Sequence, residues 1–332
     1  MSIVSIKEWK EVFQKHPEAH ILQSAQWGLL KKSVGWEPNY LIRNDAGVLL
    51  LLRRLPLGYS IAYIPKSEVS IKWEYFLPEI DEICHQNKSI FLKIEPDYWE
   101  DYNNKELDRL KVWFQESSDT IQPRSTLMLN INLPEGEILN QMKQKTRYNI
   151  RLAEKKGISI STSDDLDTFC YLMKETAARD EFGAHTDSYY KYAFELFNKE
   201  GLCQMFLAFF KDTPLAGLMV FRHGKRAWYF FGASIDKERH RMPTYLLQWE
   251  AIRWAKNQGC IVYDLWGVPD EPEDYLEANF TNRSDGLWGV YRFKRGFGGS
   301  LKRSIGAWDR IYKPSLYHAY RHLLRLRKNL IS

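Results

Sequence analysis

The sequence predicts an α+β protein made of two successive modules with mixed sheets. Three observations carry this. The chain has 332 residues, more than one typical domain and comfortable for two. The element pattern restarts at Pro134-Glu135-Gly136. Each half then runs in the same order: helices first, a meander of strands, and a strand–helix–strand ending.

In the first half, residues 6 to 15 read as a short helix, and Ser24 is placed to cap a second one, AQWGLLKKSVGW. Strands follow at Pro38 to Arg43, Val48 to Arg54 and Ile61 to Ile64. A helix near 70 to 86 leads to the strand SIFLKIEP, then a helix from Lys105 to Glu116 and the strand STLMLNIN. In the second half, EILNQMKQKTRYNIRLAEKKG reads as one helix stopped by Gly157. The strand ISIST, helices at 165 to 178 and over YYKYAFELFNKEG, and the strands CQMFLAFF, PLAGLMVFRH and RAWYFFGAS come next. A helix over 243 to 257, the strand IVYDLWG, a long loop and a strand WGVYRFKRGF follow, and the last 25 residues read as helix. The expected domains are 1–134 with 306–332, closed by the C-terminal helix, and 135–305.

Composition is that of an ordinary globular protein, 44% hydrophobic and 27% charged. MSIVSIKEWKEVF lacks the apolar core of a secretory signal, and the apolar run Val48 to Leu52 ends at Arg53-Arg54, far short of a membrane span. The expectation is a cytoplasmic protein. Cys84, Cys170, Cys203 and Cys260 are irregularly spaced in apolar settings and read as buried hydrophobes; no metal site is expected. Charge is uneven. Residues 294 to 332 hold ten Lys/Arg and one acid, Asp309, which suits either an anionic partner or a solvated basic helix.

Four features could carry chemistry. The joint YFFGASIDKERHRMPTYLLQ lacks the glycines of a CoA-pyrophosphate loop, and Pro243 at the first helical position removes a donor that phosphate would use. Lys31 falls on the apolar stripe of Trp27, Leu30 and Val34, where it either snorkels or holds a buried anion. Arg147, Arg151 and Lys155 form a ridge, either solvated or anion-binding. In YRFKRGFGG, a strand would put Arg292 and Lys294 on one face as a surface pair or an electrostatic clamp, with Gly296, Gly298 and Gly299 as the turn that ends it.

The order of elements resembles the GNAT acyltransferase fold twice over. LQSAQWGLLKKSVGW, IQPRST, MKQKTRYNIRLAEKKGI, ETAARDEFGAH-TDSYY, YFFGAS, MPTYLLQWEAIRWAKNQGCIVYDLWG and GVYRFKRGFGG with GAWDRIY, in this order, resemble the Fem family (FemABX) of peptidoglycan interpeptide-bridge aminoacyltransferases from about residue 20 to 315. The chain is similar to the FemX-like members, with no coiled-coil insertion. The resemblance implies transfer of Gly, Ala or Ser from aminoacyl-tRNA to the side-chain amine of the third stem-peptide residue of UDP-MurNAc-pentapeptide or lipid II. It implies no cofactor, no DNA, a monomer, and peripheral contact with the inner membrane face.

By resemblance, Lys294 lies at the donor end of the channel and steadies the oxyanion, with Phe293 packing beside it. Lys31 grips the acceptor diphosphate, and Tyr98, Tyr189 and Tyr229 line the nucleotide-peptide site. His185 stands where the family pattern has an arginine for diphosphate, which shifts that role to a neighbour such as Lys66 or Lys191 or makes it pH-dependent. Tyr63-Ile64-Pro65-Lys66 also lacks the Gly-Pro often seen there. Glu95 and Asp97 are candidates for a base, a substrate-amine site or structural carboxylates, and Arg292 has no settled role. Two other expectations compete: transfer to a different amine acceptor, and non-catalytic RNA binding.

Overall fold

A computed structural model describes residues 2–68, 71–100, 104–180 and 183–331; Glu181 and Phe182 of ETAARDEFGAH lie outside the described residues. The chain begins β1 (Ser2–Ile3), α1 (Ile6–Gln14), α2 (Ala25–Lys32), β2 (Trp36–Arg43), β3 (Ala46–Arg54), β4 (Ser60–Pro65), α3 (Trp73–Gln86), β5 (Ser89–Glu95), α4 (Asn104–Trp113) and β6 (Gln115–Ser117). It continues with β7 (Ser125–Asn130), α5 (Glu135–Gln141), α6 (Gln144–Lys155), β8 (Ile158–Thr162), α7 (Leu166–Asp180), α8 (Asp187–Asn198), β9 (Cys203–Phe210), β10 (Thr213–His223) and β11 (Arg226–Ser234). Last come α9 (Pro243–Asn257), β12 (Val262–Asp264), α10 (Glu273–Asn279), α11 (Trp288–Lys294), β13 (Ser300–Arg303), β14 (Ala307–Ile311) and α12 (Pro314–Ile331).

The described residues up to Gln122 and from Ser304 onward form one compact unit; Pro123–Arg303 form the other. The division falls at 122/123, ahead of the expected 134/135, because β7 pairs with β12 and β13 of the second unit. Each unit holds a seven-stranded sheet, in the orders β1-β2-β3-β4-β5-β14-β6 and β13-β7-β12-β11-β10-β9-β8. Within each, a single strand–helix–strand crossover makes the parallel pair, β4–α3–β5 and β11–α9–β12. The remaining pairings are antiparallel, as expected of meanders closed by one crossover.

In the first unit, Ser5 and Glu8 form a capping box on α1, and the Ser24 hydroxyl caps α2 by accepting from Trp27 N–H. One sheet face packs Leu50, Leu52, Ile64 and Leu92 against Phe76, Leu77 and Ile80 of α3. On the other face, Ile61 and Phe91 meet Tyr317 of α12. In the second unit, Leu127, Phe206, Leu218 and Val220 pack with Leu247, Ala251 and Ile252 of α9.

Three expectations are corrected. Residues 135–155 form two helices, broken where Met142 takes an extended conformation. The last 25 residues begin with β14, which pairs between β5 and β6, before α12 starts at Pro314. WGVYRFKRGF is a helix, α11, followed by a 3₁₀ turn over Arg295–Phe297. Trp288, Tyr291, Lys294 and Phe297 recur every three residues and are all buried, so the inward-facing period is helical. The strand reading had placed Arg292 and Lys294 together; on the helix Arg292 is exposed and Lys294 is buried. The glycines that follow end a helix. Gly298 and Gly299 have φ of 82° and 87°, and a side chain at either would press on the carbonyl oxygen of Gln141 or Met128.

Candidate active site

In the second unit the site is built where two parallel strands part. β11 and β12 pair over Arg226–Trp228 and Val262–Asp264, and the pairing stops there. Just beyond, β11 carries a bulge: Val220 faces Tyr229 and Met219 faces Phe231, leaving Phe230 as the extra residue. The other side of the opening is the turn after β12. Its conformation is pinned by Asp264, whose Oδ1 accepts from Trp266 N–H at 2.8 Å and from the Thr126 hydroxyl at 2.5 Å. Trp266 sits at φ 59°, a left-handed conformation unusual for a bulky residue.

That turn aims two carbonyls inward. Lys294 Nζ, from α11, donates to the oxygens of Trp266 at 2.8 Å and Gly267 at 2.9 Å. Its Nζ also lies 5.6 Å from the centre of the Tyr229 ring. The residue is only 5% exposed. Burial pulls its ammonium down to about 7, and the Asp264 carboxylate works the other way. An ammonium has three N–H groups, and two are used by the carbonyls. The third has no hydrogen-bond partner among the described residues.

Neighbours hold this lysine in place. Glu277 of α10 accepts from Tyr291 Oη at 2.8 Å and from Arg295 Nε at 2.7 Å, tying the middle and the C-terminal end of α11. Phe293 packs edge-on against Tyr245 and Phe297, with centroids 5.2 and 5.1 Å apart. Tyr229 lies over Gly232, where a Cβ would overlap its hydroxyl, and burial pushes that hydroxyl up to about 12. His185 stacks on Tyr189 at 3.9 Å, and both rings stand edge-on to Phe231 of β11. Tyr189 is buried, while His185 keeps an exposed position and its backbone N–H donates to Tyr190 Oη at 3.1 Å. Lys191 is engaged by Asp167 at 2.5 Å.

In the first unit, Lys31 lies in the last turn of α2 with Nζ 4.4 Å from the centre of the Trp27 ring. Burial, then the nearby Arg53 guanidinium, lowers it to about 8. Glu95 is a fastener: it accepts from Tyr63 Oη at 2.5 Å and from the backbone N–H groups of Ile121 and Gln122. Burial raises its pKa, and Tyr63, Lys66 and these N–H groups oppose that. A carboxylate with every approach taken by structural donors is placed to hold the 121–122 turn rather than to accept a substrate proton. Asp97 N–H donates to Ser67 O at 2.9 Å. Tyr98 is 4% exposed and packs in the core that includes Phe76, Leu77 and Ile80 of α3. Lys66 is 3% exposed with φ 42°, and its charge is one of those that oppose the rise in the Glu95 pKa.

Sequence reasoning named Lys294 and Tyr229, which the structure brings together, and Phe293, whose ring packs instead on Tyr245 and Phe297. It missed Asp264, the Trp266 and Gly267 carbonyls and Gly232, although all four lie in motifs it had singled out.

Residues 4–209 and 204–325 match the FemAB family. The chain belongs to the FemAB family. It is therefore an aminoacyltransferase, with the tandem GNAT-like fold that the order of its elements implied. The lipid II:glycine glycyltransferase of Staphylococcus aureus is 24% identical over 401 residues, covering 95% of this chain and 93% of that protein. Its Staphylococcus epidermidis counterpart is 24% identical over 387 residues, covering 92% and 91%. Among solved structures, the crystal structure of FemX superposes with a TM-score of 0.83 at 23% identity, over 96% of this chain and 98% of that one. A tandem GNAT protein from the clavulanic acid biosynthesis pathway superposes with a TM-score of 0.53 at 9% identity, over 92% and 94%. Both superpositions speak to the fold. Among the described residues no helix is long and apolar enough to cross a membrane.

Proposed function

We propose that this FemAB-family aminoacyltransferase takes Gly, Ala or Ser from aminoacyl-tRNA and adds it to the side-chain amine of the third stem-peptide residue of UDP-MurNAc-pentapeptide or lipid II, building an interpeptide bridge. The acceptor nitrogen attacks the ester carbonyl, forming the amide C–N bond. The ester C–O bond then breaks, and the tRNA ribose hydroxyl leaves with the proton the amine gives up. Atoms and charge balance without an added oxidant or metal.

The observation that carries this is the buried Lys294 ammonium at the parting of β11 and β12, held by two carbonyls with a third N–H to spare. A donor fixed in a water-poor opening is worth most where an oxyanion develops. Lys294 fits that task as an electrostatic donor, with the Tyr229 ring beside it and Phe293 packing α11 onto Tyr245. The attacking amine needs chiefly to be positioned against an already activated ester. This accords with Glu95 being committed to the 121–122 turn.

The test is an acceptor-and-tRNA panel read by mass spectrometry. Incubation with glycyl-, alanyl- or seryl-tRNA and either acceptor should raise the acceptor mass by one residue. No product with soluble or lipid-linked acceptor would remove the proposal.

A further inference from the structure

We propose that the exposed face of α6 in the second unit, carrying Lys145, Tyr148, Arg151 and Lys155 with Lys143 at its head, is the surface along which the acceptor stem of the donor tRNA lays its backbone phosphates. The inference rests on the reading that the donor is an aminoacyl-tRNA, and it says where on this chain the RNA beyond the reacting ester is held.

The two sides of α6 are unlike. Thr146, Asn149, Ile150 and Ala153 are buried, and Ile150 and Ala153 belong to the core that holds Leu247, Ala251 and Ile252 of α9. At 3.6 residues per turn, Lys145, Tyr148, Arg151 and Lys155 fall within about 120° of one another on the far side. All four are exposed. The acid of this helix, Glu154, lies about 120° round from Tyr148, at the edge of the row. Arg147, which the spacing had put on the same ridge, turns away. Its guanidinium donates to the backbone oxygens of Asn140 and Met142 and holds the joint between α5 and α6.

The cations of the row are open. Lys143, Lys145, Arg151 and Lys155 have no ion-pair partner among the described residues. Elsewhere in the unit Arg253 sits on Glu135 at 3.2 Å, Arg303 on Asp270 at 2.7 Å, and Arg295 on Glu277. From Lys145 to Lys155 the row is about 15 Å long, at 1.5 Å per residue. Like charges held along a packed helix repel, and a line of phosphates relieves that repulsion while releasing its own counterions. The row also starts in the right place. Lys143 N–H donates to Gly296 O at 2.9 Å, and a Cβ on Gly296 would overlap the Thr146 hydroxyl. The head of α6 therefore adjoins the turn that follows Lys294 by two residues. An anionic bilayer is the other extended anion a basic helix can meet, but it calls for an apolar face that enters the headgroups. α6 spends its apolar face on α9, and the large ring it shows outward is Tyr148, 60% exposed. An aromatic among cations is the combination on which nucleic-acid bases stack.

Fluorescence anisotropy with a labelled, uncharged acceptor-stem RNA hairpin reads this surface without the transfer chemistry. The full-length protein should bind the hairpin saturably. The double variant Lys145→Gln/Arg151→Gln should raise Kd about tenfold at fixed salt and make the slope of log Kd against log salt shallower by about 1.5. Lys145→Arg/Arg151→Lys should keep the wild-type slope. Lys199→Gln/Lys225→Gln makes the same change in charge at exposed positions outside the row and should leave Kd and slope nearly as they were. In the transfer reaction Lys145→Gln/Arg151→Gln should raise the KM for aminoacyl-tRNA about tenfold, with kcat and the acceptor KM nearly unchanged. Wild-type binding and slope in that variant overturn the inference. So does equal weakening by Lys199→Gln/Lys225→Gln, which marks net charge alone, or a rise in the acceptor KM instead, which assigns the face to the peptidoglycan precursor. Loss of co-sedimentation with phosphatidylglycerol vesicles while hairpin binding holds assigns the face to a membrane and overturns it too. If the wild type transfers no amino acid yet binds the hairpin in this pattern, the proposed reaction fails and this surface stands.

Discussion

Lys31 and Lys294 are both lysines taken out of water, yet their surroundings are opposite. Lys294 is met by two carbonyl dipoles and the Asp264 carboxylate, all from the protein itself. Lys31 is met by an indole ring and a second cation. Burial lowers both, to about 7 and about 8. The first ammonium is met by acceptors and an opposite charge, while the second lies against a ring and near a like charge. A donor that must be ready before charge develops is pre-organised by the fold. A grip on a charged substrate can leave part of its stabilisation to the substrate.

The sharpest way to break this contrast is to remove Lys294. Lys294→Met keeps the length and apolar packing but deletes the donor. It should lower kcat by about 10²–10³, the usual cost of one oxyanion donor, with the acceptor KM little changed. A variant that raised only that KM would put Lys294 in substrate binding and erase the distinction. Gly232→Ala attacks the same opening from its other wall. The new Cβ overlaps the Tyr229 hydroxyl, so the ring must shift. Overpacking of this kind costs about 1–3 kcal/mol. Urea denaturation should register it, alongside a several-fold fall in kcat. An unchanged midpoint and full activity would mean that Tyr229 does not set the shape of the opening.

Stability should also depend on pH through these lysines. Each has a folded pKa below its ordinary 10.5, so between roughly 7 or 8 and 10.5 the unfolded chain holds protons that the fold does not. Their contribution to stability is fully present above the unfolded value and is lost as pH falls through the folded ones. Urea midpoints measured at pH 7 and pH 9.5 should therefore rise with pH relative to Lys294→Met. Parallel behaviour of wild type and variant would show that Lys294 is not desolvated in solution.

Much of this architecture was legible in the sequence, and the misses have physical causes. β8 and α9 fall where ISIST and the Pro243 start put them, because a glycine stop and an N1 proline are local signals. α11 was misread because Tyr-Arg-Phe-Lys-Arg-Gly-Phe alternates aromatic and basic residues like a strand. Its three-residue row of Trp288, Tyr291 and Phe297 was also present, but the buried member that completes the row is a lysine, which patterning counts as polar. β14 was swallowed by the terminal helix because its partners, β5 and β6, are some 200 residues earlier, and only tertiary pairing reveals it. Asp264 and the two carbonyls escaped because a turn's backbone direction is not written in side-chain types.

The smallest expected effect tests the unlike surroundings most directly. Arg53 lowers the Lys31 ammonium, so taking its charge away must let that pKa rise. Lys31 is the lysine that, by resemblance, grips the acceptor diphosphate, so in the wild type the acceptor KM should climb as pH passes about 8 and it loses its proton. In Arg53→Gln that climb should begin at higher pH. Lys294 has no such cation beside it, since its own opposing charge is Asp264. Any pH dependence that Lys294 gives to kcat should therefore stay where it was. A shift of the KM limb alone separates the two lysines. Movement of both limbs together would mean that the variant had disturbed the fold, and movement of neither would mean that the Arg53 charge does not act on Lys31.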